Sequence, residues 1–214
     1  MPTIPTIVSN MVPTIPDFIY LASQSPRRSQ LLEQLGVRHA LLLPDADEDS
    51  EALEVVMRNE APKTYVQRVT ALKLQAAQQR LVRRNLQPAP ILCADTTVAM
   101  GQTIFGKPED TEDAKRMLRA LSNRPHRVLT AIAIGMGDQY AVACSESWVT
   151  FAEFSEPDIE AYVATGEPMG KAGAYAVQGR AAAHIANISG SYSGIMGLPL
   201  YETAQALRSL GFRL

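Results

Sequence analysis

Two adjacent arginines stand in residues 23–28 (SQSPRR), at the start of a predicted helix. Ser25 suits the N-cap and Pro26 the first helical position, so the sequence fixes where this helix begins. A helix N-terminus presents unpaired backbone N–H groups and the positive end of the helix dipole, and both attract anions. Arg27 and Arg28 oppose that dipole unless an anion compensates them. The stretch therefore indicates either a polyphosphate site or a solvated basic surface.

A second group of polar side chains follows the apolar run 91–94 (ILCA). This run predicts a short buried strand that carries Asp95, Thr96 and Thr97 at its C-terminal end. In open α/β sheets, ligands bind at the carboxyl ends of the strands, which makes these three residues candidates for a site. The alternative is that the Asp95 carboxylate caps the turn that follows the strand.

Two lysines come from other predicted elements. Lys73 lies near the edge of the apolar face of a helix predicted over residues 63–84. A lysine at such an edge either binds a ligand or extends along the surface with its stem packed and its ammonium in water. Lys107 projects from the turn 106–108 (GKP), after a small hairpin predicted over residues 98–105.

An acidic turn at residues 45–51 (DADEDSE) contains five carboxylates and includes Glu48. Such a turn is usually a solvated loop. The competing interpretation is a divalent-metal site, because hard cations such as Mg²⁺ prefer oxygen ligands.

Strands and helices alternate at the start of the chain, and a β-hairpin and two further helices follow towards the C-terminus. No internal repeat and no linker interrupts this order, which predicts a single domain over residues 17–214. Residues 1–16 contain four prolines and no lysine or arginine, so they predict a disordered tail and argue against a secretory signal.

Composition narrows the classes of function. The 214 residues are 46% hydrophobic and 20% charged, as in ordinary globular proteins. The formal net charge of −2, with no basic stripe, argues against nucleic acid and anionic membranes as partners. No apolar run approaches the roughly 20 residues of a membrane span. Cys93 and Cys144 lie far apart in apolar runs, which predicts reduced thiols in a cytoplasmic protein.

Five short motifs occur in a fixed order from about Phe18 to the C-terminus. They are 23–28 (SQSPRR), 94–96 (ADT), 106–108 (GKP), 171–179 (KAGAYAVQG) and 197–200 (GLPL). Each motif alone is weak, but the ordered set resembles the Maf family of nucleoside triphosphate pyrophosphatases.

The resemblance implies an α/β fold with a long mixed sheet and two lobes around a cleft, as in the inosine triphosphate pyrophosphatases. It implies hydrolysis of a nucleoside triphosphate between its α- and β-phosphates with a divalent cation (Mg²⁺, Mn²⁺ or Co²⁺), and a homodimer. Asp95 would accept a proton, Glu48 and Asp95 would associate with the metal, and the phosphate-handling residues would be Ser25, Arg28, Lys73 and Lys107.

Within the family, Arg27, Thr96 and Gln178 stand where the branch similar to dTTP/UTP pyrophosphatases carries the same residue types. The resemblance therefore implies dTTP, UTP and modified pyrimidine nucleotides as substrates, with Lys171 as a further substrate-binding residue. A hypothesis of a different class is a non-hydrolysing nucleotide sensor or an inhibitor of septum formation.

Overall fold

The computed structural model describes residues 17–49 and 51–214. The tail predicted for residues 1–16 lies outside the described residues, so that prediction remains untested.

Within the described residues, seven strands form one sheet. They are β1 (Ile19–Leu21), β2 (His39–Leu41), β3 (Ile91–Met100), β4 (Thr103–Phe105), β5 (Pro125–Met136), β6 (Gln139–Phe151) and β7 (Ile185–Ser189). The strand order is β2-β1-β3-β5-β6-β7, with β4 paired to β3. The sheet is mixed, because β1 runs parallel to β2 and β3 whereas the other pairs are antiparallel.

The α-helices are α1 (Pro26–Gln34), α2 (Pro62–Arg83), α3 (Thr111–Leu121), α4 (Glu156–Ala164), α5 (Tyr192–Met196) and α6 (Leu200–Ser209). As predicted, Ser25 is the N-cap of α1, and Gly36 just after the helix adopts a left-handed φ of 72°. A short 3-10 helix at Ala52–Glu54 lies between β2 and α2. None of the helices in the described ranges is long and apolar enough to cross a membrane.

The structure corrects the predicted extent of the strand before Asp95. The predicted strand ends at residue 94, whereas β3 continues to Met100 and Asp95 lies in its middle. The predicted hairpin strand 98–100 therefore forms the last three residues of β3. The alternative role of Asp95 as a turn cap is wrong, because no turn begins there.

A change of neighbours along β3 explains why its middle still forms a ligand site. Strand β1 pairs with β3 only at Ile91 and Leu92, and β4 pairs with it only from Val98 onward. Between these two partners, β5 is the only strand of the described chain that is paired to β3. The site thus lies beyond the carboxyl end of β1, on an open stretch of a longer strand.

Helices cover both faces of the sheet. On one face, α2 buries Val66, Val69 and Ala77 against the odd-numbered residues of β3 and β5. On the other face, α1 and α6 pack over Leu92, Ala94, Ile132 and Ile134, whereas α3 and α4 pack over Val98 and Val128. The pair α1 and α6 forms the core of one lobe, and the pair α3 and α4 forms the core of the other. A cleft lies between the two lobes.

Candidate active site

The cleft between the lobes has a volume of about 560 Å³ and collects the predicted site residues from distant parts of the chain. Nine of the ten predicted residues line it: Ser25, Arg27, Arg28, Lys73, Asp95, Thr96, Lys107, Lys171 and Gln178. The tenth, Glu48, is not among the lining residues of the described chain. The structure therefore brings nearly all of the candidates together, while their individual roles remain predictions.

The alternation of side chains along β3 decides which helix each cleft residue meets. Asp95 lies on the face covered by α2 and accepts a hydrogen bond of 2.6 Å from Lys73 Nζ. Thr96 lies on the opposite face, where Arg28 of α1 donates to its hydroxyl over 3.4 Å. Two adjacent residues of one strand thus connect the cleft to two different helices.

Glu54 bridges the two lysines of the site. Lys73 Nζ donates to Glu54 Oε1 over 2.7 Å, and Lys107 Nζ donates to Glu54 Oε2 over 2.8 Å. Because Lys73 also contacts Asp95, four charged side chains form one chain of hydrogen bonds at the wall of the cleft. Glu54 is not among the residues predicted from the sequence, since a single carboxylate in a short 3-10 helix leaves no periodic signal.

Burial sets the electrostatics of Asp95. It raises the pKa of the Asp95 carboxyl above its ordinary value, and the nearby charges of Lys73 and Arg28 oppose this only in part. A carboxylate with a raised pKa is a stronger base than an exposed one. Asp95 Oδ1 binds Lys73, and among the described residues Oδ2 has no hydrogen-bond donor, so a reactant in the cleft can reach it.

Arg28 contributes to the architecture of the cleft as much as to its charge. Its guanidinium donates to Gly197 O over 2.8 Å and to Ser23 Oγ over 3.1 Å, in addition to Thr96. Gly197 ends α5 with a left-handed φ of 115°, which places its carbonyl towards the arginine. An arginine has five N–H donors, so two remain for a ligand.

The hydroxyl of Thr96, which accepts the hydrogen bond of Arg28, also pairs with the hydroxyl of Thr130. Its Oγ1 lies 2.9 Å from Thr130 Oγ1, and Thr130 in turn donates to Gly194 O over 2.7 Å. The C-terminal segment that holds Gly194 and Gly197 is thereby tied to β3, β5 and α1. Thr130 is a further contributor that sequence analysis did not identify.

Arg27 and Lys171 make one side of the cleft positively charged. Arg27 lines the cleft, and its side chain has no hydrogen bond or ion pair in the described part of the chain. Lys171 Nζ donates to the carbonyl of Glu167 over 2.5 Å. Burial, and then the charge of Arg27, lower the pKa of Lys171. Two cations that repel each other favour an anion between them.

Gln178 reaches the cleft from a loop that packing holds in place. Gly173 in this loop has a φ of 68°, and a Cβ at that position would lie 2.8 Å from Val98. The hydroxyl of Tyr175 lies 2.8 Å from Nε2 of His126, a fully buried histidine whose pKa burial lowers to about 4. The exposed amide of Gln178 is thus presented by a rigid support.

The structure gives Glu48 a different place from the predicted one. Its carboxylate accepts two hydrogen bonds from Arg80, of 3.0 and 2.5 Å, and a further one from Arg83. The hydrogen bonds of Arg80 are the main cause that lowers the pKa of Glu48 to about 2. Glu48 therefore neutralises a buried arginine, and Glu54 is the glutamate that faces the lysines.

No group of three or more histidine, cysteine, aspartate or glutamate side chains suited to a metal occurs within residues 17–49 and 51–214. A cation in this cleft would accordingly draw several of its ligands from water or from a bound phosphate chain.

The fold and the cleft define an α/β protein with a cation-lined pocket for an anionic ligand beside one buried carboxylate. Residues 18–210 match the model of the family described as Maf-like protein. The chain belongs to this family.

Curated relatives agree with this assignment. The chain is 67% identical to a dTTP/UTP pyrophosphatase of Albidiferax ferrireducens, a match that covers 92% of this chain and 99% of the relative. It is 58% identical to a dTTP/UTP pyrophosphatase of Ralstonia nicotianae, with 92% and 95% of the two chains covered. Among solved structures, the Staphylococcus aureus Ham1 protein matches 63% of this chain and 71% of its own, at 14% identity and a TM-score of 0.38. That likeness is too remote to support an argument.

Proposed function

We propose that this protein hydrolyses dTTP and UTP between the α- and β-phosphates and releases the monophosphate and pyrophosphate. The observation that carries the proposal is the contact of Asp95 with Lys73, in a cleft that also holds Lys107 and the N-terminus of α1. A relative that is 67% identical to this chain bears the name dTTP/UTP pyrophosphatase.

Each of these groups has a task in the proposed reaction. The N-terminus of α1, Ser25, Arg27 and the two remaining donors of Arg28 hold the triphosphate. Lys73 and Lys107 offset the negative charge that develops on the departing pyrophosphate. Asp95 accepts the proton of the attacking water through Oδ2. The protein thus acts mainly by positioning and by electrostatics.

The reaction would require a divalent cation, namely Mg²⁺, Mn²⁺ or Co²⁺. The donor set fits such an ion in part, because Asp95 Oδ2 has no protein donor among the described residues and offers a second lone pair besides the one that takes the proton. Phosphate oxygens would complete the shell. Glu48, whose carboxylate binds Arg80 and Arg83, fits poorly as a ligand. When bound, the cation would neutralise phosphate charge and favour ionisation of the attacking water.

A panel of triphosphates tests the activity itself. Purified protein should release pyrophosphate and monophosphate in equal amounts from dTTP and UTP, and more slowly from CTP and the purine nucleotides. Coupled assays with Mg²⁺, Mn²⁺ and Co²⁺ measure the products and the preferred metal. Release of orthophosphate instead would mean that the bond between the β- and γ-phosphates is cleaved, which would contradict the proposal. Nucleotide binding without any product would favour the alternative of a sensor or septum-formation inhibitor.

Gln178 is proposed to recognise the edge of the pyrimidine base. Replacing it with glutamate should reduce the preference for UTP over purine triphosphates by about tenfold, because an amide donor to the base is lost. The measurement is the ratio of kcat/KM values for UTP and GTP. Gln24→Glu is the matched control, since Gln24 lines the same cleft near α1 and should lower both values in parallel. An unchanged ratio for Gln178→Glu would remove this residue from base recognition.

The remaining expectations concern the setting of the protein: a homodimer in the cytoplasm that does not bind nucleic acid. Support for the dimer comes from β6, where Tyr140, Val142 and Trp148 expose 72%, 63% and 46% of their surface. Light scattering after size-exclusion chromatography should give twice the mass of one chain. Val142→Lys should then reduce it to the monomer mass.

A further inference from the structure

Lys107 depends on a single contact for its position. Its side chain is 45% exposed, and Glu54 Oε2 is its only ion-pair partner in the described part of the chain. Lys73 differs, since it is 19% exposed and binds both Glu54 and Asp95. If Glu54 were absent, Lys73 would keep a partner whereas Lys107 would move freely in water.

Helix α2 holds Glu54 itself in place. The Tyr65 hydroxyl donates to the backbone carbonyl of Glu54 over 3.0 Å. Arg68, one turn further along α2, donates to the carbonyl of Val55 over 2.8 Å and forms an ion pair with Glu60. The helix that carries Lys73 thus also holds two consecutive backbone carbonyls, those of Glu54 and Val55.

The hydrogen bonds to Glu54 leave both lysines able to bind phosphate. An ammonium group has three N–H donors. Lys73 uses two of them, on Asp95 and Glu54, and Lys107 uses one, on Glu54. One donor of Lys73 and two of Lys107 remain for an anion in the cleft. Glu54 can therefore stay in place while substrate is bound.

We propose that Glu54 is a positioning residue that holds the Lys107 ammonium beside Lys73, so that both act on the departing pyrophosphate. The inference rests on the proposed function. Ordering one lysine side chain costs up to about 1.5–2 kcal/mol. If Glu54 removes that cost before the reaction, its loss should lower kcat for UTP by roughly 10- to 30-fold.

A double-mutant cycle tests whether Glu54 acts through Lys107. Glu54→Gln alone should lower kcat by the stated factor, with a melting temperature close to that of the wild type. In a Lys107→Met background, the same change should lower kcat by less than about threefold, because the lysine it positions is gone. Glu51→Gln is the matched control, since Glu51 also lines the cleft and, in the structure as described, forms no hydrogen bond or ion pair with either lysine.

Three kinetic results would overturn the proposal. Equal losses from Glu54→Gln in the wild-type and Lys107→Met backgrounds would mean that the two residues act independently. An unchanged kcat for Glu54→Gln would mean that the carboxylate does not position Lys107 for the reaction. An increased kcat would mean that it competes with substrate for the lysines.

A spectroscopic measurement separates this inference from the proposed function, because it needs no turnover. Nitrogen-15 relaxation of the lysine ammonium groups should show a restrained Lys107 in the wild type and in Glu51→Gln, and a mobile one in Glu54→Gln. Equal mobility of Lys107 in all three proteins would refute the positioning role even if the enzyme hydrolyses UTP. If Lys107 becomes mobile in Glu54→Gln alone but the protein hydrolyses no nucleotide, the positioning role stands and only the proposed function is refuted.

Discussion

Replacing Asp95 with asparagine is expected to lower kcat for UTP by about 10²- to 10⁴-fold, the range that general-base catalysis contributes. The amide keeps the size of the side chain and an acceptor for Lys73, but it cannot take a proton from water. Steady-state assays of pyrophosphate release measure the effect. Asp138→Asn, in the exposed turn between β5 and β6, is the control and should keep full activity. Near-wild-type turnover of Asp95→Asn would exclude Asp95 as the base.

Asp95→Asn should also change how the stability of the protein depends on pH. Burial raises the pKa of Asp95 in the folded state, so the folded protein binds this proton more tightly than the unfolded chain does. The contribution of Asp95 to stability is therefore present at low pH and is lost as the pH rises through the raised pKa. Asparagine does not ionise, so the variant does not lose this stability as the pH rises. Thermal unfolding should show Asp95→Asn gaining stability relative to the wild type as the pH rises above the ordinary range of an aspartate.

Replacing Glu48 with glutamine is expected to destabilise the fold by about 2 kcal/mol, because it leaves the charge of a buried arginine poorly compensated. The Arg80 side chain is 4% exposed, and its remaining contact is the carbonyl of Leu42 at 2.9 Å. Chemical denaturation measures the loss. Asp45→Asn is the control, since Asp45 lies on the same loop as Glu48 but pairs with Arg83 and Arg84, which are more exposed than Arg80. This substitution should change stability little.

The effect of Glu48→Gln should also depend on pH. The pKa of Glu48 is lowered to about 2 in the folded protein, against an ordinary value of 4.5. The stabilisation is present above pH 4.5 and disappears as the pH falls towards 2, so wild type and variant should converge in that window. A variant with unchanged stability and a weaker requirement for metal would instead restore the prediction of Glu48 as a metal-associated residue.

Local chemistry made most of the elements readable from the sequence. Pro26 at a helix start, Asp110 before α3 and Ser155 before α4 are residue types whose backbone preference or side chain favours a helix start. In the structure the Asp110 and Ser155 side chains accept hydrogen bonds from Asp113 N and Asp158 N. The helix predicted over residues 63–84 is α2, Pro62–Arg83, since its apolar spacing is sustained over many turns.

The extent of β3 was not readable, because it depends on pairing rather than on composition. Polar residues in the middle of an apolar run look like the end of a strand. Here Asp95 continues the ladder through its backbone, opposite Ala131 of β5. The carboxylate is tolerated in a buried strand because Lys73 of α2 lies on the same face.

The bridging role of Glu54 and the pairing of Glu48 with Arg80 were beyond sequence reasoning for a related reason. Both glutamates lie between β2 and α2, where no period of 2 or 3.6 residues reveals which side chain faces inward. Only the path of the backbone directs one carboxylate to Arg80 and the other to the two lysines.

The bond from Arg28 to the carbonyl of Gly197 spans most of the polypeptide and has a consequence during protein synthesis. A nascent chain still attached to the ribosome can form the opening β-α unit long before the segment around Gly197 has been translated. Until that segment arrives, the guanidinium lacks one of its three protein acceptors and Thr96 lacks the network that runs through Thr130 to Gly194. The pocket is therefore completed only after Gly197 has been translated, and a chain that stops before this residue should not consume nucleotides.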